Sequence, residues 1–210
     1  MKYHIGSRYQ QGFTIVELMI ATAILSLILL LTTMVISNIG SLYFKGVNQS
    51  RIQDDVRFIT DDVAQHLELT DQLLSTGSQN YGITVNAYCI GNTRYSYVLN
   101  TQLGTSAGHV AHVLWRDTNT SGSCTPLNLT QSTPPTSMNG SELIAPNSRL
   151  TDFTILGPSP YSISLAAAYG DDDLLNLSGL NTTCKGTTGE QFCATASLQT
   201  VAVQRITGSP

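Results

Sequence analysis

The stretch "GFTIVELMI", residues 12–20, places one acidic side chain near the start of a long apolar run. Between Phe13 and Ile36, Glu17 is the only residue that ionises. At about 1.5 Å per residue, a helix over this run is roughly 36 Å long, enough to cross the ~30 Å hydrocarbon core of a bilayer. A charge at that depth costs about 2.5–3.5 kcal/mol on insertion scales. Glu17 is therefore expected to have a partner.

The helical pattern continues beyond the apolar run. Apolar residues recur there at steps of three and four, with charged residues between them, and form one stripe along a helix: Ile52, Val56, Ile59, Val63 and Leu67. This spacing predicts one helix over residues 13–74, apolar on all sides over 13–36 and amphipathic over 37–74. Gly40 and Gly46 are its weakest positions, at about 1 kcal/mol each relative to alanine. We expect either local loosening of the helix or close packing of neighbours there.

Residues 75–210 have the pattern of a β-rich domain, in which short runs of Val, Ile, Thr and Tyr alternate with polar turns. They predict about six strands, mostly antiparallel, with one face packed on the apolar stripe of the helix. The runs are "YGITVNAYCI" (81–90), "TRYSYVL" (93–99), "HVAHVLW" (109–115), "LTDFTIL" (150–156), "YSISLAAAY" (161–169) and "SLQTVAVQRI" (197–206). The predicted fold class is α+β, with long polar loops over residues 117–140 and 170–193.

Composition and cysteines indicate an oxidising compartment. Only 11% of the residues are charged, against a usual ~25%, and all four cysteines follow the apolar run. An even number of cysteines on one side of a membrane segment is typical of disulfides. Of the three possible connectivities we favour Cys184–Cys193 and, by elimination, Cys89–Cys124. Four reduced thiols are the alternative.

The segment before the apolar run is short and basic. Residues 1–12 contain Lys2 and Arg8 and no acid, so the positive-inside rule predicts that this end stays cytoplasmic and that the chain after Ile36 faces outward. In a secretory signal the small-residue cleavage site follows the apolar stretch. Here the small residue, Gly12, comes before it.

The order Gly12-Phe13-Thr14-x-x-Glu17, followed by an apolar helix, resembles the class III leader of type IV prepilins and type II secretion pseudopilins. The resemblance implies that a prepilin peptidase cleaves after Gly12 and methylates the new N-terminal Phe13. It also implies that Glu17 pairs with the N-terminal amine of a neighbouring subunit and sets the axial register. The implied partners are other pilin subunits, the peptidase and an assembly platform in the cytoplasmic membrane.

The resemblance favours a structural function. It predicts a subunit that crosses the cytoplasmic membrane once, N-terminus inside, and later joins an extracellular pilus or a periplasmic pseudopilus through residues 13–36. The leader and the two proposed disulfides are most similar to minor pilins of the PilW kind or to the J-type pseudopilin. A pseudopilin of a type II secretion system is one alternative, and a tip adhesin that binds through its long loops is another. A net charge of −4 without a basic run disfavours nucleic acid as a partner.

Enzymatic and metal sites have weak support. Residues 104–108 fit the G-x-S-x-G nucleophile elbow, but the only later histidines, His109 and His112, precede the next acid, so the order of a hydrolase triad fails. On a strand these two histidines would point to opposite faces. Asp171, Asp172 and Asp173 supply the oxygen ligands that Ca²⁺ prefers, without EF-hand spacing. The sequence predicts no enzyme and no cofactor, with this acidic cluster as a weak calcium candidate.

Overall fold

The computed structural model describes residues 12–104, 106, 108–118, 122–131, 140–186 and 189–205, so nearly all of the predicted leader lies outside the described residues. The chain divides into two compact units, one ending at Tyr43 and the other beginning at Phe44. Helix α1, Ile15–Leu69, contributes to both. In the first unit the described residues 12–39 are all exposed. The remainder of the fold belongs to the second unit.

The second half of α1 buries the stripe that its periodicity predicts. The buried positions are Ile52, Val56, Ile59, Thr60, Val63 and Leu67. The predicted loosening at Gly40 and Gly46 is wrong, because α1 is continuous through both. Glycine keeps its backbone donor and acceptor, so the helical hydrogen-bond ladder passes through it. Among the described residues, an added Cβ at either glycine would meet nothing within 4 Å, so no close neighbour in that part of the chain requires these glycines.

The helix ends at Leu69, before the predicted Leu74, and other groups donate to the carbonyls at its end. The C-terminal segment of the chain supplies two of them. The Gln204 side-chain amide donates to the Thr70 carbonyl (2.6 Å), and the Arg205 backbone N–H donates to the Glu68 carbonyl (3.0 Å). The Arg205 guanidinium also pairs with the Glu68 carboxylate at 2.8 Å. A cation at a helix C-terminus complements the helix dipole.

The strands form antiparallel sheets, which confirms the α+β prediction. A five-stranded sheet in the order β1-β2-β3-β4-β5 contains Ser75–Asn80, Thr84–Ile90, Thr93–Tyr97, Leu114–Thr118 and Ser141–Glu142. A three-stranded sheet in the order β10-β7-β6 contains Ala194–Ala202, Tyr161–Tyr169 and Ser148–Leu156. A two-stranded ribbon pairs β8, Leu175–Asn176, with β9, Thr183–Cys184.

Each of the six predicted runs contributes a strand, most boundaries differ by a few residues, and the largest error is in the run 109–115. The run 109–115 was predicted as a strand throughout, but β4 begins only at Leu114; before it, Val110 forms an isolated bridge to Leu103. Strand β1 was not predicted, because its sequence STGSQN has no alternation of apolar and polar residues. The two-residue strands β5, β8 and β9 are too short to leave a periodic signal.

Both sheets contribute to the core of the second unit, together with the buried stripe of α1. Phe153 on β6 lies edge-on to Tyr88 and Tyr97, with ring centroids 5.2 and 5.0 Å away. Tyr95 donates its hydroxyl proton to the Asp62 carboxylate on α1 at 2.7 Å. Burial and this hydrogen bond raise the pKa of Tyr95 far above its usual range. The hydroxyl therefore remains a neutral donor that ties β3 to the helix.

The two disulfides of the structure follow the favoured pairing. Cys89 on β2 is bonded to Cys124, and Cys184 on β9 is bonded to Cys193. No described cysteine is free. The first bond fixes residues 122–131 to the larger sheet, and the second closes a short loop before β10.

Candidate processing and assembly site

The predicted cleavage position is exposed on the described chain. Phe13 is 90% exposed, and neither it nor Gly12 lies in regular structure. An added Cβ on Gly12 would meet nothing within 4 Å among the described residues. The fold therefore does not require glycine here, and an enzyme that approaches this bond meets no folded obstacle among the described residues.

Glu17 has a local partner that the motif already contained. Thr14 precedes α1 and Glu17 is the third helical residue, which is the spacing of a capping box. The Thr14 backbone N–H and hydroxyl both donate to Glu17 Oε2 at 2.9 Å. In return, the Glu17 N–H lies 3.2 Å from the Thr14 hydroxyl oxygen and donates to it. The sequence signal T-x-x-E was present but was not used in the prediction.

The remaining polar side chains of the apolar segment are satisfied within the helix. The hydroxyls of four residues donate to carbonyls three positions earlier, at 2.8–3.0 Å: Thr22, Ser26, Thr32 and Thr33. These side chains need no partner from another molecule. Glu17 differs from them, because its hydrogen bonds to Thr14 leave its negative charge uncompensated.

Among the described residues, α1 is the one helix that is long and apolar enough to cross a membrane. The segment that meets this criterion is not buried against the rest of the chain. Its exposed large apolar residues extend without a long break from Phe13 to Val47. In water such a surface would drive aggregation, so lipid or other helices must cover it.

The acidic cluster contacts basic and amide groups of the head, the β-rich domain of residues 75–210. The Arg149 guanidinium, which is buried, pairs with the exposed Asp172 carboxylate. Gln102 donates its amide N–H to Asp171 at 3.5 Å. No group of three or more His, Cys, Asp or Glu among the described residues is arranged to hold a metal. A cation at this cluster would compete with a fixed guanidinium, so the geometry gives the calcium candidate no support.

The G-x-S-x-G segment forms a turn in its described part; Thr105 and Ala107 lie outside it. His109 donates its N–H to the Ser106 carbonyl at 3.0 Å, and Gly108 has a φ of 86°. A nucleophile elbow requires a helix after the serine, and residues 108–118 contain none. His112 lies elsewhere, with Nδ1 3.4 Å from the Glu142 carboxylate. The structure therefore does not assemble a hydrolase triad from these residues.

A buried ion pair that holds the loop after β4 was not predicted from the sequence. Arg94 Nε and Nη2 donate to the two carboxylate oxygens of Asp117 at 3.0 and 2.5 Å, and both side chains are buried. Arg94 Nη1 also donates to the Thr125 carbonyl at 2.7 Å. This bidentate pair and the disulfide of Cys124 anchor neighbouring residues of the same segment.

Comparison with known families identifies the N-terminal signal. Residues 7–33 match the family model described as "Prokaryotic N-terminal methylation motif". This match supports a type IV pilin-like prepilin signal, with processing by a peptidase, assembly with other pilins and a membrane-anchored precursor. No curated protein and no solved structure matches the chain. The head is therefore interpreted from its own geometry.

Proposed function

We propose that this protein is a structural subunit of a type IV pilus or related filament, cleaved after Gly12 and assembled through residues 13–36. The observation that carries the proposal is the prepilin signal, which stands directly before a helix whose apolar residues are uncovered by the rest of the chain. The precursor lies in the cytoplasmic membrane with its N-terminus inside and its head, residues 75–210, outside. The amphipathic half of the helix, residues 37–74, joins the two parts.

Packing of the apolar helices is the main contact in the proposed filament. A subunit that leaves the bilayer exchanges lipid tails for the apolar side chains of its neighbours, and this exchange provides little hydrophobic driving force. Apolar packing alone therefore does not select one axial position over the next. A charged group in the packed segment provides that selection, because a buried charge without its partner costs about 3–5 kcal/mol.

Glu17 is the proposed charged group. After cleavage the chain begins with the amine of Phe13, and the Glu17 carboxylate of one subunit pairs with the amine of a neighbour. The capping box holds the carboxylate in place before assembly, since Thr14 orients it without neutralising it. Glu17→Gln should leave processing intact and prevent incorporation into filaments.

Among filament subunits we favour a minor pilin. The support is the two-disulfide head, with a core built from two sheets and the helix stripe. A pseudopilin of a secretion system remains the alternative with the same processing. Deletion of the subunit distinguishes them, because loss of surface pili indicates a pilin, whereas loss of exoprotein secretion with normal pili indicates a pseudopilin.

A tip adhesin is the other alternative, and the loop 117–140 is its proposed binding element. Part of this loop is anchored by Asp117 and Cys124, so a large deletion would damage the fold. Removal of residues 132–139, which lie outside the described residues, spares both anchors. An adhesin should lose attachment after this deletion while pili remain, whereas a subunit that only primes assembly should retain both.

The central test is N-terminal mass spectrometry of this protein in filaments sheared from cells. A peptide that begins with N-methylated Phe13 supports cleavage and filament membership together, and its low abundance relative to the main subunit supports a minor role. Gly12→Val is the control, since the fold tolerates a side chain there but the peptidase should not. A chain that still begins at Met1 and stays in the membrane contradicts the proposal.

A further inference from the structure

A polar groove lies in the second unit, between the last turns of α1 and the strands β3 and β4. Directly paired residues, and residues two apart on a strand, point to the same face of a sheet. By this register, five polar side chains share the face that meets the helix: Thr93, Tyr95, Arg116, Thr118 and Ser141. The helix adds Asp62 and His66, which lie one turn apart on one side.

The Asp62 carboxylate uses only part of the Arg116 guanidinium. The Tyr95 hydroxyl donates to Asp62 Oδ2 at 2.7 Å, and Arg116 Nη1 donates to Asp62 Oδ1 at 2.5 Å. Among the described residues, none accepts a hydrogen bond from Arg116 Nε or Nη2. The Arg116 side chain is 33% exposed. It therefore presents two free N–H donors in the planar arrangement that matches the two oxygens of a carboxylate.

The contacts of His66 fix its tautomer. Its Nδ1 lies 2.8 Å from the Asp62 backbone carbonyl, which can only accept, so Nδ1 carries the proton. The Tyr95 hydroxyl oxygen, 3.0 Å from the same nitrogen, accepts from it as well, because its own proton is donated to Asp62. In the neutral ring Nε2 is then an acceptor. The groove thus offers donors at Arg116 and an acceptor at His66.

Two cavities meet along this groove, and His66 and Thr93 line both of them. The first, of about 510 Å³, contains Arg116 and the hydroxyls of Thr118 and Ser141. The second, of about 360 Å³, lies at the end of α1, where Leu69 is 56% exposed. Its other lining includes three side-chain amides: Gln65, Gln72 and Asn92. Both volumes fall in the range of about 300–1,000 Å³ that small-molecule sites occupy.

The charges around the groove favour a ligand with a single negative charge. Asp62 compensates Arg116, and the Asp117 carboxylate at the wall of the first cavity is compensated by Arg94. A phosphate monoester would bring a charge of about −1.5 to −2 into this nearly neutral site. The second cavity contains the exposed Asp71, which repels anions. One carboxylate therefore fits at the Arg116 end, and an uncharged group fits at the other end.

We propose that the groove binds an oligosaccharide that ends in a carboxylated sugar. The carboxylate accepts from Arg116 Nε and Nη2, and a hydroxyl of the same sugar donates to His66 Nε2. The neighbouring neutral sugar lies in the second cavity, with its apolar face on Leu69 and its hydroxyls near the amides. Such binding goes beyond the structural role and does not depend on cleavage or on membership of a filament.

Isothermal titration calorimetry tests the groove in the full-length chain, purified in a detergent without sugar groups. Cellobiouronic acid and sialyllactose are the acidic probes, and cellobiose and lactose are their neutral counterparts. Arg116→Lys keeps a cation beside Asp62 but removes the planar pair of free donors. Arg57→Lys, the same change at an exposed position of α1, is the matched control. Thr93→Val removes a hydroxyl from the wall of both cavities and leaves the Arg116–Asp62 pair in place.

At least one acidic probe should bind about tenfold or more tightly than its neutral counterpart, because charge-assisted hydrogen bonds are stronger than neutral ones. Arg116→Lys should lose this preference, and Arg57→Lys should retain it. Thr93→Val should weaken the binding of that acidic probe by about two- to tenfold, as expected for one neutral hydrogen bond.

Equal affinity for the acidic and neutral members of both pairs overturns the proposal. A preference that survives in Arg116→Lys, or an affinity unchanged in Thr93→Val, also overturns it. The same holds if neither acidic probe binds up to about 10 mM, above which binding is too weak to be specific. Thermal unfolding midpoints show whether each variant is folded. If Arg116→Lys is not, the preference of the parent chain and the Thr93→Val result decide.

Discussion

The variants Thr14→Ala and Glu17→Gln separate the local role of Glu17 from its proposed role between subunits. Glutamine serves as well as glutamate at this position of a capping box, so Glu17→Gln keeps the helix start and removes only the charge. Thr14→Ala removes the hydroxyl, and with it two of the three hydrogen bonds that join these residues. It retains the carboxylate and its 2.9 Å bond from the backbone of residue 14.

The two substitutions should reduce incorporation into filaments to different extents. Loss of an N-cap hydroxyl costs about 1 kcal/mol, which corresponds to about a fivefold change in an equilibrium. Loss of one partner of a buried charge pair costs about 3–5 kcal/mol, which corresponds to a change of about 150-fold to 5000-fold. Glu17→Gln should therefore be nearly absent from filaments, while Thr14→Ala should be reduced but readily detected.

The measurement is the ratio of the subunit in sheared filaments to the subunit in the membrane fraction, by quantitative mass spectrometry at matched expression. N-terminal peptides show whether each variant is still cleaved. Asp61→Asn, which removes an exposed carboxylate from the second half of the helix, is the matched control for loss of charge and should incorporate normally. If Glu17→Gln is cleaved and incorporates as well as the parent does, as expected when glutamine keeps the capping box and the lost charge had no partner, the carboxylate serves only its own helix and the intersubunit pairing is refuted.

Three further predictions concern the head. Asp117→Ala removes the carboxylate that neutralises the buried Arg94 guanidinium and should lower the free energy of unfolding by about 3–5 kcal/mol. A loss below about 1 kcal/mol in urea titration, the value of an exposed pair, would contradict a buried ion pair. Burial raises the pKa of Asp55 above its ordinary 3.8, so the folded state keeps a proton that the unfolded chain has lost, and stability falls as the pH rises from about 4. Asp55→Asn should remove part of that decline in thermal unfolding midpoints measured at stepwise pH. Serine substitution of the Cys89–Cys124 pair should cost about 4 kcal/mol and that of the Cys184–Cys193 pair about 3 kcal/mol, because the first closes the longer loop; the reverse order in non-reducing urea titrations would exclude the loop-entropy explanation.

The features that the sequence predicted well are those with a local period. The stripe from Ile52 to Leu67 and the runs of β6 and β7 appear where the periodicity placed them, whereas β10 overlaps its run but begins three residues earlier and ends four residues earlier. The spacing of apolar residues indicates which side of a helix or strand is buried. The helix and the two sheets bury those sides in the core. The order of residues in the N-terminal motif was equally informative for the segment from Gly12 to Glu17, because such a motif consists of residues that are neighbours in the sequence.

The features that were missed depend on residues far apart in the chain. β1 forms because β2 provides a pairing edge and because Gly77 lets another backbone pass; a Cβ there would lie 1.6 Å from the Cys124 carbonyl oxygen. The Arg94–Asp117 pair joins residues on neighbouring strands. The ion pair between Lys45 and Glu190 joins residues that are far apart in the sequence of the second unit. None of these leaves a periodic trace, since each depends on tertiary packing.

The hydrogen bonds of Gln204 and Arg205 to the end of α1 also bear on when this protein can fold. β10 is the last strand of the described chain, and it pairs with β7 over its whole length. The carbonyls of Thr70 and Glu68 receive their donors only from residues beyond that strand. While the C-terminal residues are still in the ribosome or the translocation channel, the three-stranded sheet lacks an edge and the helix end is open. If the head is exported as in the proposed function, it can be completed only after Gln204 and Arg205 have crossed the membrane, and until then a protease or chaperone on that side meets an unfinished domain.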